Sequence, residues 1–316
     1  MIEKVGAVLT SATILSGCTP SFVNAVTPPF LYPEVSIEEL PDTLPDAVAE
    51  QIPNVVSIIN NIPVLSESGI CSGVRIDKHD YLSAGHCDYS LASDALPFCT
   101  ELSVGSTSII SPDGVILKAT KKAGNYGGDT SGIWRGDVNS MSDDTLLIET
   151  DAEPRPYTTP TQYGEPSMVT TGMPLYLVNY EPTADGKLRS PFNKYLTESE
   201  LNAGLNKPAI FGAIALMQYA NGMIAAISGD KPYSSPPETD VRGGASGGPV
   251  YDQNGSLIGT AVNLINYSSL SEAERDFGVS ITGISEKTDV NVFLIQDITP
   301  SLVSELQSEQ QPTPDC

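Results

Sequence analysis

The chain has 316 residues, 40% of them hydrophobic and only 17% charged, which allows a buried core and excludes a largely disordered chain. Sixteen Lys and Arg stand against 39 Asp and Glu, a formal net charge of −23. A field of that sign repels nucleic acid and anionic lipid, so neither is expected as a partner, while it favours solubility and modestly attracts cationic peptides.

At the start, Lys4 precedes an apolar stretch from Val5 to Leu15 that is too short to span a bilayer. It runs into Leu15-Ser16-Gly17-Cys18, which resembles the bacterial lipoprotein signal, in which the cysteine is lipidated and becomes the mature N-terminus. A plain secretory leader is the alternative, because Glu3 cancels the single early positive charge. Residues 1–18 are therefore expected to direct the chain to the bacterial cell envelope, anchored through lipid on Cys18, or to secretion, with that lipid as its sole membrane contact. Residues 19–52, rich in Pro and acidic side chains, read as a tether or pro-region with one helical turn around Asp46 to Gln51.

From Val55 the character changes. Short runs rich in β-branched residues recur at 55–59, 73–76, 114–119, 145–149, 174–180, 222–228, 249–252, 256–265 and 278–284, separated by Gly, Pro, Asn, Asp and Ser. Runs of this length and spacing indicate an all-β sandwich or barrel rather than βαβ units. Asp252-Gln253-Asn254-Gly255 marks a hairpin between two of them. Helical pattern is confined to 197–205, opened by a capping box of Thr197 and Glu200, and to Thr299 to about Gln307, with Pro300 at the first helical position. Residues 309–316 read as a polar tail, and no later apolar run has the length of a membrane-spanning helix.

Three stretches carry candidate chemistry, in the order His, Asp, Ser: Tyr81-Leu82-Ser83-Ala84-Gly85-His86-Cys87, Asp143-Asp144-Thr145-Leu146-Leu147 and Gly243-Gly244-Ala245-Ser246-Gly247-Gly248-Pro249. A serine hydroxyl becomes an effective nucleophile when a base accepts its proton, and an imidazole titrating near neutrality suits that role. A carboxylate fixes the imidazole tautomer and stabilises the imidazolium that forms. Of the two histidines, only His86 has these flanking residues.

Together the stretches resemble the chymotrypsin/trypsin-like serine peptidases, over roughly residues 53–300. The resemblance implies an all-β domain at 53–308 of two six-stranded antiparallel β-barrels, with the active site between them and a short C-terminal helix. It implies a serine endopeptidase acting on protein or peptide substrates through an acyl-enzyme, with His86, Asp143 and Ser246 as the triad and Asp144 as a solvated neighbour. The backbone N–H groups of Gly244 and Ser246 would form the oxyanion hole. A disulfide between Cys71 and Cys87 would clamp the histidine loop, leaving Cys99 and Cys316 to pair only by elimination. Asp240, six residues before Ser246, sits where trypsin-like members place the carboxylate of a Lys/Arg pocket, and Gly278 fits a pocket wall; for Asp240 a loop pairing with Arg242 stays open. No cofactor and no metal is implied. Two departures from the digestive enzymes, Ala245 before the serine and no Ile-Val-Gly-Gly-like start, bring the chain closer to bacterial members that assemble the site without an inserted N-terminus. The alternative function is a catalytically inactive protease-fold binding protein of the envelope.

Overall fold

A computed structural model describes residues 32–62, 67–88, 107–125, 144–154, 157, 159–180, 183–184, 187–188, 192–194, 208–233, 245–284 and 290–312. After β1 (Glu34–Ser36) and a short helix α1 (Asp46–Ala49), six strands follow: β2 (Val55–Ile62), β3 (Glu67–Arg75), β4 (Asp80–Ser83), β5 (Thr107–Ile110), β6 (Ile116–Asn125) and β7 (Thr145–Thr150). They pair antiparallel in the order β3-β2-β5-β6-β7-β4, and β4 returns to β3, so this sheet closes.

The second set is β8 (Pro174–Asn179), then, past the short β9 (Thr183–Ala184), β10 (Lys187–Leu188) and β11 (Phe192–Lys194), the strands β12 (Ala209–Gln218), β13 (Met223–Pro232), β14 (Pro249–Asp252), β15 (Leu257–Tyr267) and β17 (Val290–Asp297). These six, β8 included, close as β12-β13-β17-β15-β14-β8, again antiparallel. Helix α2 (Leu270–Phe277) and strand β16 (Ser280–Thr282) lie between β15 and β17, and helix α3 (Pro300–Glu309) with β18 (Gln311–Pro312) follows. The architecture is the chymotrypsin-like double barrel. The expected hairpin joins β14 to β15, with Asp252 Oδ1 accepting from the N–H groups of Asn254 and Ser256 at 2.8 and 2.9 Å.

Strand β2 shows why the runs read as continuous rather than alternating. Val56 and Ile58 enter one apolar cluster, and Val55 and Ile59 enter another. The second cluster joins Val55, Ile59 and Val74 of the first barrel to Tyr176, Val178 and Tyr251 of the second. One face of β2 fills a core and the other packs at the seam between barrels, so both are apolar. Helix α3 begins as expected, with Thr299 Oγ1 accepting from the Leu302 N–H at 3.2 Å. The helix expected over 197–205 lies outside the described residues.

The reading of 19–52 as a tether is corrected for its described part. Strand β1 pairs in parallel with β16, Glu34 opposite Ser280 and Ser36 opposite Thr282. Val35, Ile37 and Leu40 behind it are each at most 2% exposed. They fill a groove of the second barrel where side chains are missing: a Cβ on Gly229 would sit 2.8 Å from both Ile37 and Leu40. The Tyr233 hydroxyl donates to the Pro41 carbonyl at 2.6 Å and closes the end of the strap. Each buried apolar side chain there offsets the cost of ordering the segment. Ile37→Ala is therefore expected to cost about 2–5 kcal/mol of unfolding free energy, measured by urea denaturation; a change below about 0.5 kcal/mol would restore the tether.

Candidate active site

His86 lies in a single helical turn, Gly85–Cys87, directly after β4. A disulfide joins Cys87 to Cys71 in β3 and fastens this turn to the barrel wall. Both oxygens of Asp144 engage the histidine. Oδ1 accepts from the His86 backbone N–H and Oδ2 from Nδ1–H, each at 2.7 Å. The carboxylate is 3% exposed and the imidazole 22%, so the imidazole is reachable while its partner is shielded. With Nδ1 donating to Asp144, Nε2 is left as the accepting nitrogen.

The partner of the histidine is thus Asp144, not Asp143. Asp143 lies outside the described residues. Side chains alternate along a strand, so 144, 146 and 148 share a side. Leu146 and Ile148 pack in the cluster that holds Ala84 and Cys87, beneath the histidine turn, whereas Leu147 packs in the other cluster. Asp144 belongs to the former side and is buried rather than solvated.

Ser246 comes from the second barrel, in the turn before β14. The Gly248 N–H donates to the Ala245 carbonyl at 2.8 Å, and Gly247 between them has φ +77°, the left-handed value such a turn places on glycine. The Gly247 N–H donates to the Ala261 carbonyl and the Ala261 N–H to Gly248, anchoring the turn to β15. Across the seam, the Ser72 N–H donates to the Ser246 carbonyl at 2.8 Å. A Cβ on Gly247 would press on the Ser83 hydroxyl, the Ser72 carbonyl and the Ala84 nitrogen. The serine turn therefore rests on Ala84, two residues before His86.

Of the other expected site residues, Asp240, Gly244, Cys18, Cys99 and Cys316 lie outside the described residues. Gly278, expected on a pocket wall, ends helix α2 as its left-handed cap with φ +63°, and that backbone accounts for the glycine. Among the described residues, the ligand atoms of Cys71, His86 and Cys87 approach within 4.8 Å as a metal site would require, but both sulfurs are committed to the disulfide.

Burial by itself pulls the His86 imidazolium down, but the Asp144 charge and its hydrogen bond outweigh it and hold His86 above the ordinary imidazole range.

No family model and no curated protein matches the chain. Solved structures do. It is similar to the Rv3671c protease from M. tuberculosis in its active form, at 16% identity over 97% of both chains with a TM-score of 0.45. It is similar to the HtrA-type protease AlgW with tripeptide, at 14% identity over 84% of this chain and TM-score 0.45, and to Deg5, at 15% identity over 69% of this chain and 82% of that one, TM-score 0.40. The chain spans 62% of the length of the HtrA-type protease.

A base accepts protons only when neutral, so any hydrolysis depending on His86 should fall as pH drops through its raised pKa, placing the acid limb of kcat/KM above about 6.5. Asp144→Asn removes the raising contributions and leaves burial, so the limb should move to lower pH while kcat falls about 10⁴-fold. Asp143→Asn should leave both near wild type; the reverse pattern would return the role to Asp143.

Proposed function

We propose that the chain is a serine endopeptidase using His86, Asp144 and Ser246. The carrying observation is the buried Asp144 carboxylate on His86 Nδ1, with the Ser246 turn seated on Ala84 beside it. In this reading His86 Nε2 accepts the Ser246 proton as Oγ attacks the scissile carbonyl carbon. The developing oxyanion receives the backbone N–H groups of Gly244 and Ser246. The imidazolium then passes its proton to the leaving amine and the C–N bond breaks, leaving an acyl ester on Oγ. Water attacks that ester, its proton going to Nε2 and then to Oγ as the acid departs.

The strand pattern favours an extended peptide as substrate. β15 pairs with β17 as far as Tyr267, but with β14 only from Leu257 to Thr260. Beyond Ala261, which is bonded to the serine turn, no described strand covers the β14-side edge of β15. An extended chain added there would lie alongside Ser246. Asp240 as a carboxylate selecting Lys or Arg, and an exported location that keeps Cys71–Cys87 oxidised, belong to the same proposal.

Ser246→Ala and His86→Ala should each lower peptide hydrolysis by up to ~10⁶-fold with the fold retained by circular dichroism. Wild-type turnover in either purified variant would end the reading, and failure of wild type to label with a fluorophosphonate would favour the inactive binding protein. For Asp240, the ratio of kcat/KM on an Arg over a Leu substrate should fall by about tenfold or more in Asp240→Ser, because a desolvated carboxylate discriminates against uncharged side chains. An unchanged ratio would remove the Lys/Arg preference alone.

A further inference from the structure

Behind the histidine turn, on the wall of the first barrel, lies a chain of polar groups unusual for such a position. Asn60 on β2, Thr107 on β5, Lys122 on β6 and Asp88 after the turn are linked in sequence. The Lys122 ammonium is 3.0 Å from Asp88 Oδ2, with side-chain exposures of 10% and 2%. The same ammonium donates to the Thr107 hydroxyl, that hydroxyl donates to Asn60 Oδ1, and Asn60 Nδ2 donates to the carbonyl of Cys87. Asn60 and Thr107 face each other as strand partners, so the link follows from β2–β5 pairing. Asn60 and Thr107 are themselves no more than 4% exposed.

Burying a lysine and an aspartate in a chain this acidic is costly unless each is paired, and apolar side chains would fill the space at less cost. The chain also converges on one point. It holds the carbonyl of Cys87 on one side of His86 and, through Asp88, the residue after it, while the disulfide holds Cys87 itself and Asp144 holds the His86 N–H. The Asp88 N–H closes the turn onto Gly85 at 2.9 Å. A general base must sit within about 0.5 Å of its productive position to reach the proton it accepts, and side chains behind it supply that accuracy.

We infer that Lys122, Asp88, Thr107 and Asn60 form a positioning network that sets the His86 turn. They touch no substrate and act through the turn's backbone. The inference rests on the peptidase reading above, so its test carries one readout independent of hydrolysis.

Thr107→Val is nearly isosteric, leaves the Lys122–Asp88 pair in place and cuts the chain in its middle. It should lower kcat about 10- to 100-fold with KM within twofold, the loss expected for a misplaced catalytic group. The downfield proton resonance of His86 Nδ1–H, measured at low temperature, should shift or broaden. Lys122→Met/Asp88→Leu removes both buried charges together, so it should melt close to wild type yet show the same kcat loss, whereas Lys122→Arg should retain most of the activity. Wild-type kcat and an unmoved resonance in a folded Thr107→Val would overturn the inference, as would wild-type kcat in the double variant. Should wild type hydrolyse no peptide at all, the peptidase reading fails, and the resonance in Thr107→Val still decides whether the network sets His86.

Discussion

The seam between the two barrels is the constraint on which the site depends. His86 and Asp144 belong to the first barrel and the serine turn to the second, so no local geometry within either can assemble them. Ser72 makes the joint. Its N–H donates to the Ser246 carbonyl, its hydroxyl accepts from the Tyr180 N–H at 2.8 Å, and its carbonyl accepts from the Ser83 hydroxyl at 2.7 Å. One residue therefore touches the Ser246 turn, the end of β8 in the second barrel and the strand leading to His86. The apolar cluster beneath, from Val55 and Val74 to Tyr176 and Tyr251, resists sliding of one barrel over the other. Gly247 fits because nothing larger than hydrogen has space against Ser83 and Ala84.

Electrostatics at the site runs against the character of the whole chain. Most of the 39 acidic side chains can be solvated at modest cost, but Asp88 and Asp144 are each 2% exposed. Each faces a cationic or proton-donating residue, Lys122 for one and His86 for the other. Stranding either carboxylate would leave a buried charge without compensation.

Much of this was legible from residues. An all-β sandwich or barrel followed from short β-branched runs between turn formers, its division into two barrels from the resemblance to the chymotrypsin/trypsin-like peptidases, and the candidates His86 and Ser246 from the residues flanking them. The choice between Asp143 and Asp144 was not. Leu146, Leu147 and Ile148 are buried on both faces of β7, and such a run carries no sign of which side holds the histidine. The strap at 33–41 was invisible for another reason: its groove is built by Gly212 and Gly229 and its pairing partner is Ser280 to Thr282, all remote in sequence. Helix α2 does carry a signal in the sequence. Ser269 and Glu272 stand at the spacing of a capping box: Ser269 Oγ accepts from the Glu272 N–H, the Glu272 carboxylate accepts from the neighbouring Ser268 N–H, and Gly278 ends the helix.

The pairing of β1 with β16 also fixes an order of events in time. Glu34 and Thr282 meet across 248 positions of sequence. At typical rates of about 5–20 residues per second, a ribosome needs roughly 12–50 s to make the chain between them. For most of that interval Val35, Ile37 and Leu40 have no groove to occupy, whereas the six strands of the first barrel, all between residues 55 and 150, have one another as soon as Thr150 is made. The second barrel closes only when β17 (Val290–Asp297) arrives, so the serine turn and the histidine turn meet late. A growing chain is thereby kept from bringing the Ser246 turn against the His86 turn before β17 is made.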